Sequence, residues 1–378
     1  MAHWVSVWGQ AHAIIDLAGT RYRDRTALVT VRTDLGGEQV RLRLSNREGK
    51  KPLRVVGATV QTPDSGAVRL LFGGEAQICL EPGGEKYSDA VSLPVRPGDY
   101  LCIRMAFCGA PNSGNSIRTG VIYSAKGDFT AAEQFDAVLP GRGYRLPGME
   151  EAVPILAAVE TLAEDDAGAL VCFGDSITQM NLWTGPLSDM LLRQATGRLS
   201  VINKGIGGNR LLHGPATFSW SHFGRAGVER FERDVLEESG AKAVIFAIGT
   251  NDIGHVHDPK EKEWTGADRL AKALAGLTGR AREKGMTVIG TTLLPCMGCS
   301  GYLPVQNAER EKLNDWVRGA AGTVFDAVID FDEVVRDAHH PAQLNMAYDS
   351  GDHLHPGRLG GLRMAERAMD VCREALHI

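Results

Sequence analysis

Four short segments in the C-terminal half of the chain carry residue types that can break an ester bond. In order, they read Gly174-Asp175-Ser176, Asn203 to Gly208, Gly249-Thr250-Asn251-Asp252 and Asp352-His353-Leu354-His355. A serine hydroxyl attacks a carbonyl when a neighbouring base removes its proton, and an aspartate–histidine pair is such a base. Glycine N–H groups and an asparagine amide can stabilise the negative oxygen that then forms. Together the segments predict an acyl-transfer site.

The predicted catalytic residues are Ser176 as nucleophile, His355 as base and Asp352 as the carboxylate that orients the base. Asp352 precedes His355 by three residues, so one turn of chain brings its carboxylate to Nδ1 and leaves Nε2 to face Ser176. Asp349 is a second candidate for the carboxylate, at a less favourable spacing. A metal site of Asp352, His353 and His355 is the competing interpretation, although no second ligand cluster of recognisable spacing accompanies it.

The predicted oxyanion hole consists of the backbone N–H groups of Ser176 and Gly208 and the side-chain amide of Asn251. Gly208 has no side chain, so its backbone can come close to a substrate. The structural alternatives are a tight turn at Gly205 to Gly208 and an Asx-turn at Asn251. The neighbouring Asn203 and Asp252 are predicted to brace these loops and to take no part in catalysis.

The positions of these segments require a fold that brings strand ends together. From about residue 167 strand candidates alternate with amphipathic helices, and the helix predicted after the first strand runs from Ile177 to Leu192. The strand candidates are Ala169–Phe173, Leu199–Ile202, Ala243–Ile248, Met286–Gly290 and Val328–Phe331. The pattern predicts a doubly wound α/β domain with a flavodoxin-like, five-stranded parallel sheet. Ligands of such sheets bind beyond the carboxyl ends of the strands, where the four segments lie.

The N-terminal half has the period of β-structure. From about Thr26 to Tyr123 apolar and polar residues alternate in short runs, with glycine pairs such as Gly36-Gly37 as turns. This region is predicted to be a β-sandwich or jelly-roll domain. The predicted organisation is an accessory β-domain at residues 1–135, a proline-containing linker at 136–166 and the α/β domain at 167–378.

Composition excludes several classes of function. With a formal net charge of −5 and no Lys/Arg cluster, the 378-residue chain lacks the basic surface of a nucleic-acid-binding protein. Its apolar runs are shorter than the roughly 18 residues of a membrane span. Seven cysteines at irregular spacings do not form a disulfide framework, and no signal-peptide pattern opens the sequence. A cytoplasmic protein with neither nucleic-acid nor membrane partners is predicted, and a homo-oligomer is left open.

Four aromatic or imidazole side chains near the predicted rim are candidates for substrate binding. Trp183, in the helix after Ser176, either lines the acyl pocket or packs in the core. Three others lie in rim loops, where they can contact sugar rings or serve the fold: Trp220, His222 and Trp264.

Two further motifs favour structural interpretations. Cys296-Met297-Gly298-Cys299 has no second pair at zinc-site spacing, so reduced loop cysteines are expected. Gly205-Ile206-Gly207-Gly208 follows the second strand and does not complete the dinucleotide-binding pattern.

The four segments make the C-terminal half similar to the SGNH/GDSL hydrolase superfamily. The resemblance extends from Phe173-Gly174-Asp175-Ser176-Ile177-Thr178 to Asp352-His353-Leu354-His355-Pro356. It implies that Ser176 is the nucleophile, that Asp352 and His355 complete the triad, and that no metal or organic cofactor is needed. It also implies oxyanion donors at Ser176, Gly208 and Asn251. The absence of Gly-x-Ser-x-Gly around Ser176 argues against the α/β-hydrolase elbow.

A second resemblance concerns the N-terminal half. The segments that carry it are Trp4-Val5-Ser6-Val7-Trp8, Gly36-Gly37, Val40-Arg41-Leu42-Arg43-Leu44-Ser45-Asn46 and Ser88-Asp89-Ala90-Val91. They resemble the β-domain that precedes the hydrolase domain in a branch including xylan esterases. This resemblance implies a serine acetylesterase acting on plant-type oligo- or polysaccharides, xylan- or mannan-like. A lipid- or thioester-directed hydrolase and a non-catalytic carbohydrate-binding protein are the alternatives.

Overall fold

The computed structural model describes residues 1–115, 120–133, 152–194, 198–215 and 218–378. The chain forms two compact units, one of Met1–Ala169 with Thr196–Ile202 and one of Leu170–Ala195 with Asn203–Ile378. No helix among the described residues is both long enough and apolar enough to cross a membrane.

The described part of the N-terminal region is built from antiparallel strands with one short helix, α1 (Asp16–Thr20). The strands are β1 (His3–Gly9), β2 (Ala13–Ile14), β3 (Arg25–Arg32), β4 (Gly37–Ser45), β5 (Leu53–Gln61), β6 (Val68–Arg69), β7 (Ile78–Leu80), β8 (Glu85–Tyr87), β9 (Val91–Val95), β10 (Tyr100–Cys108), β11 (Ser113–Asn115), β12 (Gly120–Lys126), β13 (Val153–Pro154) and β14 (Leu156–Ala163). One sheet has the order β1-β14-β4-β8 with β9 beside β4, and a second has the order β12-β3-β10-β5-β6 with β7 beside β5. A small third sheet has the order β13-β11-β2.

The two larger sheets share a hydrophobic core. Ala27, Val29 and Val31 of β3 are buried, and they belong to the same buried cluster as Leu42 of β4 and Val159 of β14. Apolar residues that alternate along a strand point to one face, so each sheet buries one side against this cluster. The predicted β-domain is confirmed, whereas its jelly-roll topology stays a prediction.

Part of the predicted linker at 136–166 is a core strand, so the linker prediction is wrong there. Residues 134–151 lie outside the described part of the chain, but β14 pairs antiparallel with both β1 and β4. Seven of its eight residues are buried. Because both faces of β14 are covered and alanines fill several positions, its sequence lacks the apolar–polar alternation that identifies a half-buried strand.

The C-terminal region contains a five-stranded sheet in the part of the chain that the structure describes. Its strands are β15 (Gly168–Gly174), β16 (Leu199–Gly205), β17 (Ala241–Ala247), β18 (Thr287–Thr291) and β19 (Ala327–Ile329). The order is β16-β15-β17-β18-β19, and β17, β18 and β19 pair in parallel. This is the flavodoxin-like order, with the sheet's switch point between β15 and β17. The predicted fold and its five strands are confirmed.

Helices cover this sheet. They are α2 (Ser176–Gln179), α3 (Thr184–Gln194), a 3-10 helix (Phe218–Phe223), α4 (Gly227–Phe231) with a π-helical continuation (Glu232–Leu236), α5 (Thr250–Gly254), α6 (Ala267–Glu283), α7 (Pro304–Gly319), α8 (Phe331–Val335) and α9 (Arg358–Ala375). Phe231 of α4 packs against Phe173 and Phe246, with ring centroids 5.6 and 5.5 Å apart, in the buried core of the sheet.

The predicted single helix from Ile177 to Leu192 is wrong, since the chain forms α2 and α3 there. Asn181 has a φ of +60°, in the left-handed region that a right-handed helix excludes. The second helix begins at Thr184, whose hydroxyl donates to the Asn181 side-chain oxygen at 2.7 Å. Asparagine tolerates this backbone conformation better than most residues, which explains why the break occurs at this position.

Candidate active site

Ser176 begins α2 immediately beyond β15. Asp175 stands between strand and helix as the N-cap, and its Oδ1 accepts the backbone N–H of Ile177 at 3.1 Å. A Cβ added to Gly174 would lie 2.1 Å from the Thr178 hydroxyl, so only glycine allows this tight crossing from strand to helix. Gly174 and Asp175 are buried while Ser176 is partly exposed. The turn therefore presents the serine to the rim of the sheet.

The three residues of the predicted triad come together. The Ser176 Oγ lies 2.8 Å from Nε2 of His355, and Nδ1 of His355 lies 2.6 Å from Oδ2 of Asp352. The serine and the histidine are 179 positions apart in the chain. The contact therefore depends on the fold of the whole sheet, with Ser176 placed by its first strand and His355 by the loop ahead of α9.

Asp352 is held as a charged group by the donors around it. Its Oδ1 accepts the backbone N–H groups of His355 at 2.8 Å and Leu354 at 3.0 Å and the hydroxyl of Ser350 at 3.0 Å. Burial acts to raise the pKa of Asp352, but hydrogen bonds from the backbone and ring of His355 and from the Leu354 N–H outweigh it and lower the pKa to about 2. The carboxylate stays ionised and orients the imidazole.

The second candidate carboxylate, Asp349, serves a different histidine. Its Oδ2 lies 2.6 Å from Nδ1 of His353, and its Oδ1 accepts the His353 backbone N–H at 3.1 Å. The two histidines of the segment are thus divided between two carboxylates. Among the described residues, no group of three His, Cys, Asp or Glu side chains is placed to hold a metal ion.

The two remaining oxyanion candidates line one cavity. Gly208 has a φ of +70°, and an added Cβ would lie 2.4 Å from the ring of Phe223, so both its conformation and its surroundings require glycine. Asn251 lies in α5 after β17, and its Nδ2 donates one hydrogen bond to the backbone oxygen of Asn209 at 3.0 Å. An amide nitrogen carries two hydrogens, which leaves a second N–H for another acceptor. The cavity wall also includes Leu354, the neighbour of His355.

The two residues predicted to brace the loops do so. Asn203 donates from Nδ2 to the backbone oxygen of Thr178 at 2.6 Å and accepts the N–H of Gly205 at 3.0 Å. Asp252 accepts two consecutive backbone N–H groups, the first from Leu211 at 2.6 Å. Both side chains are buried, so each fixes the start of a rim loop from beneath.

The cavity beside Gly208 and Asn251 has a volume of about 630 Å³, and its wall combines polar groups with a larger area of apolar surface. Its polar side chains include Arg210, His213, His255, His257, Glu263 and Tyr302. Arg210 donates to Glu263 at 2.8 Å. Burial and the charge of Arg210 lower the pKa of His255 to about 4, and the same two causes lower that of His213. Both imidazoles are therefore neutral at pH 7. The opposite charges of Arg210 and Glu263 leave the net charge of the cavity wall close to zero.

The predicted substrate-binding residues lie elsewhere. Trp183 is fully buried and packs against Phe331 at 5.2 Å between ring centroids, so its assignment to an acyl pocket is wrong and core packing is correct. His222 and Trp264 are outside the lining of this cavity, although His222 packs edge-on against Phe223, which lines it. The side chain of Trp220 lies outside the described residues.

The sequence interpretation missed the polar residues of the cavity wall. The available signal was proximity to the motifs: Arg210 follows Gly208 by two residues, and His255 and His257 follow Asn251 by four and six. Glu263 and Tyr302 lie in later loops and give no such signal.

The Cys-x-x-Cys pair lies beside the site, and Cys299 contributes to the cavity wall. Cys296 and Cys299 are both free thiols. Burial raises the pKa of Cys296 to about 12, which keeps it in the unreactive thiol form at neutral pH.

The fold and the grouping of these residues define a hydrolase of the GDSL type. The chain belongs to the GDSL-like lipase/acylhydrolase family, whose sequence profile matches residues 172–361. The resemblance of the four segments to this superfamily is thereby confirmed.

Several solved structures are similar to the chain. An acetyl xylan esterase is 20% identical, with 53% of this chain and 98% of that chain covered and a TM-score of 0.41. An acetyl xylan esterase from Geobacillus stearothermophilus is 18% identical, with 54% and 95% covered and a TM-score of 0.41. An alpha/beta hydrolase enzyme from the metagenome of Lake Arreo, Spain, is 22% identical, with 54% and 95% covered and a TM-score of 0.42. Comparison with curated proteins finds no match.

Proposed function

We propose that this protein is a serine esterase that removes O-acetyl groups from plant-type oligo- or polysaccharides, xylan- or mannan-like, through an acyl-enzyme. The observation that carries the proposal is the continuous pair of hydrogen bonds from Ser176 through His355 to Asp352. A serine hydroxyl in contact with a carboxylate-oriented imidazole is activated as a nucleophile.

In the proposed mechanism Nε2 of His355 takes the proton of Ser176 as Oγ attacks the acetyl carbonyl. The carbonyl oxygen becomes negative and accepts hydrogen bonds from the N–H groups of Ser176 and Gly208 and from the amide of Asn251. Collapse breaks the ester bond, and protonated His355 gives its proton to the departing sugar hydroxyl. His355 then removes a proton from water, which attacks the acetyl-serine; collapse breaks the bond to Ser176 Oγ, which takes the proton back from His355 as acetate leaves. Asp352 stabilises the imidazolium in both steps.

The cavity presents polar groups to a hydroxylated substrate and apolar surface to an acyl group. Neutral imidazoles such as those of His213 and His255 have one donor and one acceptor nitrogen, a chemistry that suits sugar hydroxyls, and Nε2 of His213 contacts the Thr265 hydroxyl at 3.1 Å. A long acyl chain gains about 0.8 kcal/mol per buried methylene only when it leaves water for apolar surroundings. Because the wall offers apolar surface as well as the Arg210–Glu263 ion pair, hydrolysis of a series of acyl esters distinguishes the two substrate classes. The choice of plant-type sugars rests on the resemblance of the N-terminal segments.

The catalytic roles are tested with Ser176→Ala and His355→Ala, assayed on p-nitrophenyl acetate after folding is verified by circular dichroism. Both variants are expected to lose turnover by several orders of magnitude, because the nucleophile or the base is absent. Activity close to that of the wild type in either folded variant contradicts the mechanism.

The substrate class is tested by incubating acetylated xylo-, manno- and pectic oligosaccharides with the enzyme. Mass spectrometry is expected to record the loss of single acetyl groups from the xylo- or mannooligosaccharides. A series of p-nitrophenyl esters tests the lipid- or thioester-directed alternative, which requires rising activity with acyl length. Binding of glycans without turnover of any ester supports the non-catalytic alternative.

A further inference from the structure

A fully buried arginine lies beneath the candidate oxyanion hole. Arg230 of α4 is 1% exposed, and its guanidinium lies over the ring of Phe173 at 4.0 Å. Its donors have four acceptors: the backbone oxygens of Gly174 at 2.8 Å and Lys204 at 2.9 Å, the side-chain oxygen of Asn209 at 3.0 Å and the carboxylate of Asp234 at 2.9 Å.

The first two acceptors belong to the strand ends that carry Ser176 and Gly208. Gly174 is two residues before Ser176, and its oxygen also accepts the N–H of Ile206 at 3.2 Å. Lys204 lies near the end of β16, ahead of the loop that contains Gly208. One guanidinium therefore binds both backbone segments, at the ends of β15 and β16.

The third acceptor extends the contact to the remaining oxyanion candidate. Asn209 follows Gly208, and its side-chain oxygen accepts the Nε–H of Arg230. The backbone oxygen of the same Asn209 accepts the hydrogen bond from Nδ2 of Asn251. The Arg230 guanidinium is thus linked by hydrogen bonds to backbone or side chains within one or a few residues of all three predicted oxyanion donors.

We propose that Arg230 is a positioning residue that fixes the mutual spacing of the three oxyanion donors at Ser176, Gly208 and Asn251. The inference rests on the proposed function, because it assigns a geometry to that catalytic site. Arg230 does not touch substrate and acts through the backbone.

The chemistry of the side chain fits this role. A guanidinium has five N–H donors in a rigid plane, so it holds several acceptors at fixed relative positions, whereas an ammonium is a point charge on a flexible stem. Asp234 compensates the buried charge at 2.9 Å, and the aromatic face of Phe173 supports the plane.

The test compares Arg230→Lys with Arg310→Lys. Arg310 is 2% exposed and has a closely matched set of partners: an asparagine side-chain oxygen at 3.0 Å, a carboxylate at 2.8 Å and the backbone oxygen of Leu293. Leu293 lies after β18, which carries no proposed catalytic residue. Both variants keep the positive charge and are expected to lose comparable thermal stability.

The expected result is a change in kcat confined to Arg230→Lys. With p-nitrophenyl acetate, kcat should fall on the order of 100-fold, since a displacement of about 1 Å in a catalytic group has that effect. KM should stay within about twofold, because the substrate's ground state does not use the oxyanion hole. Arg310→Lys should keep the kcat of the wild type. Phenylboronic acid, whose tetrahedral adduct with Ser176 places a negative oxygen in the hole, should bind Arg230→Lys more weakly in proportion to kcat.

The following outcomes decide the inference. Equal kcat values for the folded Arg230→Lys and Arg310→Lys variants overturn it, as does unchanged boronic acid affinity. If Arg230→Lys does not fold, Asp234→Asn loosens the same guanidinium by removing its charged partner, and the same comparison with Arg310→Lys applies. If Ser176→Ala keeps full activity, the proposed function itself fails. An inactive Ser176→Ala variant beside an unimpaired Arg230→Lys variant refutes the positioning role alone.

Discussion

Replacing Asp352 by asparagine should move the proton of neutral His355 from Nδ1 to Nε2. Three donors converge on Oδ1 of Asp352, from Ser350, Leu354 and His355, while Oδ2 faces Nδ1 of His355. An asparagine at this position keeps its oxygen toward the three donors, which turns its NH₂ group toward Nδ1. Nδ1 must then accept, so the single proton of neutral His355 moves to Nε2. Nε2 then donates to Ser176 and can no longer take its proton.

The expected loss is large and specific. A wrong tautomer in a serine–histidine–aspartate triad lowers kcat by about 10⁴-fold. This corresponds to about 5 kcal/mol of activation free energy at 1.36 kcal/mol per factor of ten. The assay is steady-state hydrolysis of p-nitrophenyl acetate by the folded Asp352→Asn variant. Titration of active Ser176 with a fluorophosphonate, whose reaction also needs the base, should slow in parallel.

Asp349→Asn is the matched control. Asp349 also contacts a histidine Nδ1 at 2.6 Å and also accepts that residue's backbone N–H, but its partner is His353. The kcat of the Asp349→Asn variant should stay within about threefold of the wild type. Among the hydrogen bonds of the described residues, none joins the Asp349–His353 pair to Ser176. Comparable losses in the two variants, or an Asp352→Asn enzyme within tenfold of the wild type, refute the assignment of the acid.

Three further predictions concern the oxyanion hole and the buried N-cap. Asn251→Ala should lower kcat by about 10²- to 10³-fold. The control Asn314→Ala also removes a buried amide that donates to a backbone oxygen, at 2.8 Å, and should affect only the melting temperature. Gly208→Ala should lower kcat and stability together, since its new Cβ meets the ring of Phe223; wild-type kinetics would contradict the loop geometry. Burial raises the pKa of Asp175 from 3.8 to about 7, so its contribution to stability is full below pH 3.8 and is lost as the pH rises through about 7. Asp175→Asn should therefore flatten the free energy of unfolding measured by urea denaturation between pH 4 and pH 7, by up to about 1.4 kcal/mol per pH unit; an unchanged slope would contradict a raised pKa.

The parts of the site that sequence predicts are those set by local spacing and by strand ends. Asp352 and His355 are three residues apart, so their contact is nearly a local property of the loop. Ser176 and Asn251 directly follow strands that are recognisable from continuous apolar runs, and parallel strands deliver their ends to the same edge. The long-range contact of Ser176 with His355 could be predicted because both ends of it were fixed in this way.

The parts that sequence did not predict depend on what packs against a residue from elsewhere. The strand Leu156–Ala163 has no alternating pattern because both its faces are covered, which only the pairing with β1 and β4 reveals. The sequence around Trp183 is the same whether its side chain lines a pocket or packs in the core. The cavity wall combines Arg210, Glu263 and Tyr302 from three separate loops, and no periodicity links such residues.

The third segment couples the proposed catalytic donors to the cavity wall. Asn251 donates to the backbone oxygen of Asn209, while the adjacent Asp252 accepts the N–H of Leu211. These two clamps flank Arg210, whose side chain lies in the cavity wall and pairs with Glu263. The backbone that positions the oxyanion donor at Gly208 is therefore the same backbone that sets the position of Arg210. Asn251 and Asp252 of α5 hold the backbone of both Gly208 and Arg210. A substitution at Asp252 should therefore raise KM and lower kcat together, whereas changes farther along the cavity wall should alter KM alone.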